Sequence, residues 1–83
     1  MQMNTGPRPA LSVRQLQALL ALVEAGNFTQ AAAHCHLSQP AFSAQIAQLE
    51  QLLGARLFER STRKVAPTPE GQAFAEAARR VLA

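Results

Sequence analysis

The sequence has little cysteine, few aromatic residues and no long apolar run. Its single cysteine, Cys35, excludes an internal disulfide framework, and nothing else in the sequence suggests secretion. The N-terminus lacks the apolar core of a signal peptide, and no segment approaches transmembrane length. We therefore expect a cytoplasmic protein without a membrane partner.

The 83 residues are enough for one small domain. A chain of this length buries a modest fraction of its surface and is only marginally stable alone, so we expect it to dimerise. Apolar residues make up 48% of the sequence and are largely Ala and Leu, which favours helices around a compact core.

Basic residues outnumber acidic ones, with eight Lys and Arg against five Asp and Glu, for a formal charge of +3. Nearly all of the basic residues are Arg, whose planar fork of donors matches phosphate oxygens. The same total fits an ordinary solvated basic surface. The positions of the charges must therefore decide between a nucleic-acid partner and a plain surface.

Capping signals predict two helices in the first half of the chain. Ser12 and Gln15 form a capping box, in which the hydroxyl accepts from the Gln15 N–H and the amide reaches back to Ser12. Gly26 supplies a left-handed stop. Asn27 and Gln30 form a second box of the same kind, so the second helix begins directly after the first.

A third helix follows after a very short turn at residues 36–37. Ser38 is its cap, Pro40 lies in its first turn where a missing N–H costs nothing, and Gly54 ends it. Apolar side chains at helical spacing predict a core-facing side for each helix. The predicted core residues are Leu16, Leu19, Leu20, Val23, Phe28, Ala31, Ala32, Cys35, Phe42, Ile46, Leu49 and Leu53.

Two short segments, residues 57–60 and 65–68, predict a β-hairpin with a polar, basic tip. The tip lacks the Gly that such turns favour, and Pro67 confines its strand to an edge. A last helix begins with Thr68 as cap, Pro69 at the first position and Glu70 near the positive helix end. No Gly or Pro ends this helix, so we expect the sequence to be the front part of a longer protein.

The outward face of helix three, opposite its apolar stripe, carries no charge. Small Ser and Ala side chains let a helix lie deep in a groove, and Gln or Ser can bond to base edges in the DNA major groove. Free N–H groups at the helix start, near Ser38 and Gln39, suit a phosphate. Any one of these residues fits an ordinary soluble helix, but the whole face favours DNA. The face consists of Pro40, Ser43, Ala44, Ala47, Gln48 and Gln51.

A basic cluster at the hairpin supports the same interpretation. Arg60, Arg63 and Lys64 lie within five residues of one another, shortly after helix three. Such a cluster can lie along the DNA backbone or enter the minor groove. A solvated charged loop is the alternative.

These segments resemble the N-terminal domain of LysR-type transcriptional regulators. The resemblance covers nearly all of the chain from about residue 11 and is carried by LSVRQLQALLALVEAGNFTQAA, LSQPAFSAQIAQLEQLLGARLFER and the TPEG helix start. It implies a mainly α fold, a winged helix-turn-helix over residues 11–68, with the helix-turn-helix at 28–47. Residues 1–10 are then a flexible lead-in, and residues 69–83 a truncated linker helix that pairs two chains.

The resemblance also implies a transcription-factor domain that binds double-stranded DNA as a homodimer. In the family, residues at the positions of Gln39, Pro40 and Ser43 meet bases or nearby phosphates, and those at Thr29 and Arg60 meet the backbone or minor groove. Full-length members commonly form tetramers and bind a small-molecule effector through a C-terminal domain that this sequence lacks. The expected DNA-binding residues are Thr29, Ser38, Gln39, Pro40, Ser43, Ala44, Gln48, Arg60, Arg63 and Lys64. The expected dimerisation residues are Phe74, Ala77, Ala78 and Val81.

Three positions depart from the family pattern. Many members carry Arg, which reads a base, at the position of Ala44, and basic residues at the positions of Gln48 and Gln51. We therefore expect specificity to depend on Gln39, Ser43 and Gln48, together with DNA shape. Affinity for the DNA backbone is expected to be lower than is usual for the family.

His34, Cys35 and His36 are metal-ligand residue types, but their spacing is wrong for a site. Consecutive helical residues point about 100° apart, so the three side chains cannot converge on one ion. Cys35 belongs to the apolar stripe, and free Cys is often buried, so we expect a core residue. A redox-sensing thiol would need exposure and a positive neighbourhood. We expect neither a metal nor a cofactor.

An enzyme is not indicated, because the sequence has no paired carboxylates, Gly-rich phosphate loop or nucleophile–base spacing. Glu24 and Glu50 are interpreted as polar residues on helix surfaces or between helices. The open alternative is a helical protein-interaction or dimerisation module that binds no nucleic acid. The uncharged face and the basic tip would then be coincidences.

Overall fold

The computed structural model describes residues 11–61 and 64–82. The predicted winged helix-turn-helix is confirmed, with three helices, a two-stranded wing and a following helix within these ranges. The predicted lead-in at residues 1–10 and the wing residue Arg63 lie outside the described residues. The elements are α1 (Val13–Ala25), α2 (Phe28–His34), α3 (Gln39–Leu53), β1 (Phe58–Arg60), β2 (Val65–Pro67) and α4 (Pro69–Leu82).

Local capping fixes the boundary between α1 and α2. The Ser12 hydroxyl accepts from the Gln15 N–H at 3.2 Å, and the Gln15 amide accepts from the Ser12 N–H at 3.1 Å, so the first capping box is confirmed. Gly26 ends α1 with φ 74°. One of the two bonds of the second capping box is present, because the Asn27 side chain accepts from the Gln30 N–H at 2.8 Å. The described contacts do not include the other bond, from the Asn27 N–H to the Gln30 side chain.

The turn between α2 and α3 is as short as predicted. His36 has φ 59°, and it is the one non-glycine residue with positive φ among the described residues. The Leu37 N–H closes the turn by donating to the Ala32 carbonyl at 2.9 Å. Ser38 then caps α3, accepting from the Ala41 N–H at 3.2 Å. The left-handed residue reverses the chain within this turn, so α3 begins beside α2.

The core-facing side of α1 is wider than predicted. Leu22 and Ala18 are buried, at 0% and 1% exposure, although neither was expected in the core. Leu20 and Val23 are only half-buried. Because α1 contacts α2, α3, α4 and β2, a single stripe at helical spacing does not describe its buried surface. The other helices supply the fully buried Phe42, Ile46 and Leu49 of α3 and the small Ala31 and Ala32 of α2.

The wing is an antiparallel pair of three-residue strands. The predicted strands were residues 57–60 and 65–68, and each observed strand is one residue shorter at the base of the hairpin. The Thr68 N–H donates to the Leu57 carbonyl at 2.9 Å and closes the base of the hairpin. At the other end, the Ser61 N–H donates to the Lys64 carbonyl, also at 2.9 Å. The paired residues are Phe58 with Pro67, Glu59 with Ala66, and Arg60 with Val65.

The start of α4 is anchored against the base of the wing. The Thr68 hydroxyl accepts from the Gly71 N–H at 3.0 Å and donates to the Arg56 carbonyl at 2.7 Å, so Thr68 caps α4 as predicted. Gly71 is buried, and a Cβ there would collide with the Leu57 carbonyl group. The close approach of helix and wing therefore requires glycine at this position, which the sequence did not reveal.

Candidate nucleic-acid interface

One face of α3 is exposed and uncharged, as predicted. On the opposite side of the helix, Phe42, Ile46 and Leu49 have 0% exposure, which fixes the rotation of α3 about its axis. The exposed face can therefore bring amide, hydroxyl and small side chains against a flat polar surface such as base edges. Its exposed residues are Pro40, Ala44, Ala47, Gln48 and Gln51, with Ser43 half-buried beside them.

The first turns of α2 and α3 meet at Thr29 and Gln39. The Thr29 hydroxyl donates to Oε1 of Gln39 at 3.4 Å, and both residues are exposed. The Ser38 hydroxyl oxygen is occupied by the cap on the Ala41 N–H. Gln39 is therefore the polar side chain that the start of α3 presents outward, and Thr29 lies beside it although the two are ten positions apart in the sequence.

Arg60 lies against the start of α2. Its guanidinium carbon is 5.2 Å from the centroid of the Phe28 ring, within the range of a cation–π contact. Phe28 in turn packs edge-on against Phe42, with centroids 5.9 Å apart and an interplanar angle of 77°. The sequence predicted Arg60 at the end of the first strand, in one basic cluster with Arg63 and Lys64. The structure also places it at the end of β1, and it adds the contact with the first residue of α2.

Glu50 joins α3 to the wing, a role that the sequence interpretation missed. Its Oε2 accepts from the Leu57 N–H at 2.9 Å and from the Phe58 N–H at 3.3 Å. Its Oε1 lies 3.8 Å from Nη2 of Arg60. The sequence could have indicated this role, because Glu50 lies one turn before Gly54, where α3 was predicted to end. The strand predicted to follow begins with N–H groups that need acceptors.

Lys64 is the basic residue of the wing tip that lies within the described residues, and it is exposed. Its backbone is tied to Ser61, whose hydroxyl accepts from the Lys64 N–H at 3.2 Å and donates to the Lys64 carbonyl at 3.1 Å. The Ser61 side chain thus holds the backbones of residues 61 and 64 together.

Cys35 is half-buried and packs against the core, which agrees with its predicted place in the apolar stripe. Desolvation by burial raises the pKa of its thiol. The neighbouring His34 and His36 are exposed. Over residues 11–61 and 64–82, no group of three or more His, Cys, Asp or Glu side chains is placed to hold a metal ion. No helix in the same ranges is long and apolar enough to cross a membrane.

The residues predicted for dimerisation do not share one surface of α4. Ala78 is 2% exposed and belongs to the chain's own core, so its assignment to a partner contact does not match its burial. The inward side of α4 consists of Gly71, Ala75 and Ala78, one turn apart. Val81 is 69% exposed. Phe74 and Ala77 are half-buried and, with Val81, remain the predicted dimer contacts.

The model of a bacterial regulatory helix-turn-helix protein family, the lysR family, matches residues 13–72. The chain belongs to the lysR family. The HTH-type transcriptional regulator TfdS of Cupriavidus pinatubonensis is 51% identical over 72 residues, which are 87% of this chain and 24% of TfdS. The DNA-binding transcriptional dual regulator OxyR of Escherichia coli K12 is 46% identical over 72 residues, with the same shares of the two chains. This lysR-family chain thus spans about a quarter of the length of these relatives.

Two solved structures share the fold of this lysR-family chain. The CbnR_DBD–DNA complex has a TM-score of 0.83 at 46% identity and covers 87% of this chain and 83% of that chain. The BenM_DBD/catB site 1 DNA complex has a TM-score of 0.83 at 42% identity and covers 87% of this chain and 80% of that chain. Both structures are complexes with DNA.

Proposed function

We propose that this lysR-family chain is the sequence-specific DNA-binding domain of a transcription factor and acts on double-stranded DNA in the cytoplasm as a homodimer. The observation that carries the proposal is the exposed, uncharged face of α3 opposite a fully buried stripe. Solvated helix faces usually carry Lys and Glu, whereas this one offers amides, a hydroxyl and small side chains. The DNA in the CbnR and BenM complexes supports the choice of ligand.

In the proposed complex, α3 lies in the major groove. Gln39 and Gln48 each carry an amide that can pair with adenine through both of its ends, and Ser43 can bond to several base edges. Ala44 forms no side-chain hydrogen bond and contributes close approach. The base contacts therefore come from three side chains on three successive turns of α3.

Phosphate contacts hold α3 in position. The backbone N–H groups of Ser38 and Gln39, at the start of α3, suit one phosphate region, while the Thr29 hydroxyl gives its one proton to Gln39 beside them. Arg60 and Lys64 of the wing, with Arg63 beyond the described residues, suit the backbone or the adjacent minor groove. These contacts carry no sequence information by themselves, but they set the register in which α3 meets the bases.

Pairing of two chains through α4 gives the complex its symmetry. A symmetric dimer places two α3 helices in successive major grooves, about 34 Å apart, on an interrupted palindrome. In the full-length regulator, we propose that a small-molecule effector acts through a C-terminal domain and that the chains assemble as tetramers. That domain corresponds to the part of the relatives that this chain does not span.

Selection of duplexes from a random pool, followed by fluorescence anisotropy titration at several salt concentrations, tests the proposal. We expect an enriched inverted repeat and a log affinity that falls with log salt by about 0.9 per neutralised phosphate. A scrambled duplex of the same length and composition is the matched control. Absence of binding to either duplex at low salt would refute DNA binding and favour a protein-interaction module. Enrichment of a site without two-fold symmetry would refute the dimer.

A further inference from the structure

We infer that Glu50 is a positioning residue that fixes the wing to α3 and restrains Arg60, so that Arg60 adds less to sequence-independent DNA binding than a free arginine. The inference rests on the proposed DNA-binding function. According to this inference, Glu50 does not itself bind DNA but helps the domain to discriminate between cognate and random sequences.

The first half of the inference is the attachment of β1 to α3. Leu57 and Phe58 are buried, at 1% and 0% exposure, so their N–H groups have little access to water. Glu50 accepts from both N–H groups through one oxygen, at 2.9 and 3.3 Å. Because a buried N–H without a partner is costly, this carboxylate fixes where the wing leaves the end of α3.

The second half is the restraint on Arg60, which is held from two sides. The second oxygen of Glu50 lies 3.8 Å from the guanidinium, and the Phe28 ring lies beneath it at 5.2 Å. Phe28 is itself seated on the fully buried Phe42 of α3. The path from α3 through Phe42, Phe28, Arg60 and Glu50 therefore returns to α3 and closes a ring of contacts.

The exposure of the two charged side chains shows that a phosphate can reach Arg60 but not easily Glu50. The Arg60 side chain is 40% exposed, enough to meet a phosphate, whereas that of Glu50 is 19% exposed. A phosphate must compete with Glu50 for the guanidinium. Non-specific binding depends on the number of phosphates neutralised, so a restrained, partly neutralised arginine contributes little to it. The specific complex benefits because the wing is already in place before binding.

The variant Glu50→Gln tests the restraint, because it keeps an acceptor oxygen for the two N–H groups and removes the charge that holds Arg60. We expect affinity for the scrambled duplex to rise by up to about eightfold at about 0.1 M salt, with a salt slope steeper by about 0.9, since one further phosphate is neutralised. The ratio of cognate to scrambled affinity is expected to fall. Adding Arg60→Gln to this variant is expected to restore the original salt slope.

Glu59→Gln is the matched control. Glu59 lies one residue before Arg60 on the same strand and is exposed. Its replacement by Gln changes the net charge by the same amount as Glu50→Gln. We expect it to leave the salt slope and the cognate-to-scrambled ratio nearly unchanged. Equal effects of Glu50→Gln and Glu59→Gln would overturn the inference and leave the proposed function intact.

Arg60→Lys approaches the same contact from the other side and keeps Glu50, which covers the case in which Glu50→Gln does not fold. Lysine keeps the charge but lacks the planar fork that stacks on Phe28, so it is less restrained. We expect higher affinity for the scrambled duplex and a lower cognate-to-scrambled ratio. An unchanged ratio in this variant would overturn the inference. Failure of the unmodified chain to bind either duplex would refute the proposed function and the inference together.

Discussion

The Thr29 hydroxyl donates a hydrogen bond of 3.4 Å to Oε1 of Gln39 across the turn that separates α2 from α3. The bond leaves the NH₂ group of Gln39 and one lone pair of its oxygen for other partners. Bidentate pairing with adenine needs one donor and one acceptor, so the contact with Thr29 is compatible with base recognition. The contact with Thr29 thereby holds the Gln39 side chain beside the start of α2 before DNA binds.

Thr29→Val and Gln39→Ala test this relationship. Valine keeps the branched shape without the hydroxyl, and loss of one hydrogen bond is expected to weaken cognate binding by about threefold. Gln39→Ala is expected to cost about tenfold or more on the cognate duplex and much less on the scrambled one. The double variant should bind like Gln39→Ala, because the hydroxyl then has no amide to hold. Equal losses on both duplexes for Gln39→Ala would mean that Gln39 holds only a phosphate.

The parts of the fold that the sequence predicted are those encoded over a few residues. Ser12 with Gln15 and the left-handed Gly26 act on the backbone within one turn, so their effect is visible in the sequence itself. Contacts between distant segments carry no such signal. The bonds of Glu50 to the start of β1 and the collision that excludes a side chain at Gly71 became visible only in the structure.

The candidate site divides along the same line. Helical periodicity predicted which side of α3 is exposed, since the apolar stripe fixes the opposite face. It did not predict that Arg60 rests on Phe28, because that contact joins the wing to another helix. Ala78 was predicted to contact a partner chain, but it is buried in the chain's own core. Small apolar residues lie on two sides of α4, and periodicity does not say which side meets that core.

Gly71→Ala is expected to destabilise the domain without altering the α3 face. A Cβ at Gly71 would meet the Leu57 carbonyl, and backbone cannot move aside cheaply. Overpacking of this kind costs about 1–3 kcal/mol of the free energy of unfolding, measured by urea denaturation. Gln72→Ala, at the exposed neighbouring position, is the control and should stay within about 0.5 kcal/mol of the unmodified chain. Equal stability of the two variants would contradict the close approach.

Cys35 provides a prediction about pH. Burial raises the pKa of its thiol above the ordinary value of 9.0, so the folded state retains this proton to higher pH than the unfolded state. The stabilisation is fully present below the unfolded pKa and is lost as pH rises through the folded pKa. The difference in unfolding free energy between the unmodified chain and Cys35→Ala should therefore shrink above about pH 9. Modification by a thiol reagent should be slower in the folded chain than in urea, and equally fast modification would contradict the half-buried position.

Ala44→Arg tests whether the exposed face of α3 reads bases. Ala44 is exposed at the centre of that face, so an arginine there has room to reach the groove. Arginine pairs with guanine through two acceptors, and a good bidentate contact is worth about 1–3 kcal/mol of discrimination. We expect selection from random duplexes to enrich guanine at one position in each half-site, where the unmodified chain enriches none. Gln72→Arg, on the exposed side of α4, adds the same charge outside the proposed DNA interface and should produce no new base preference. Selected sites that match those of the unmodified chain would show that α3 does not meet base edges at Ala44.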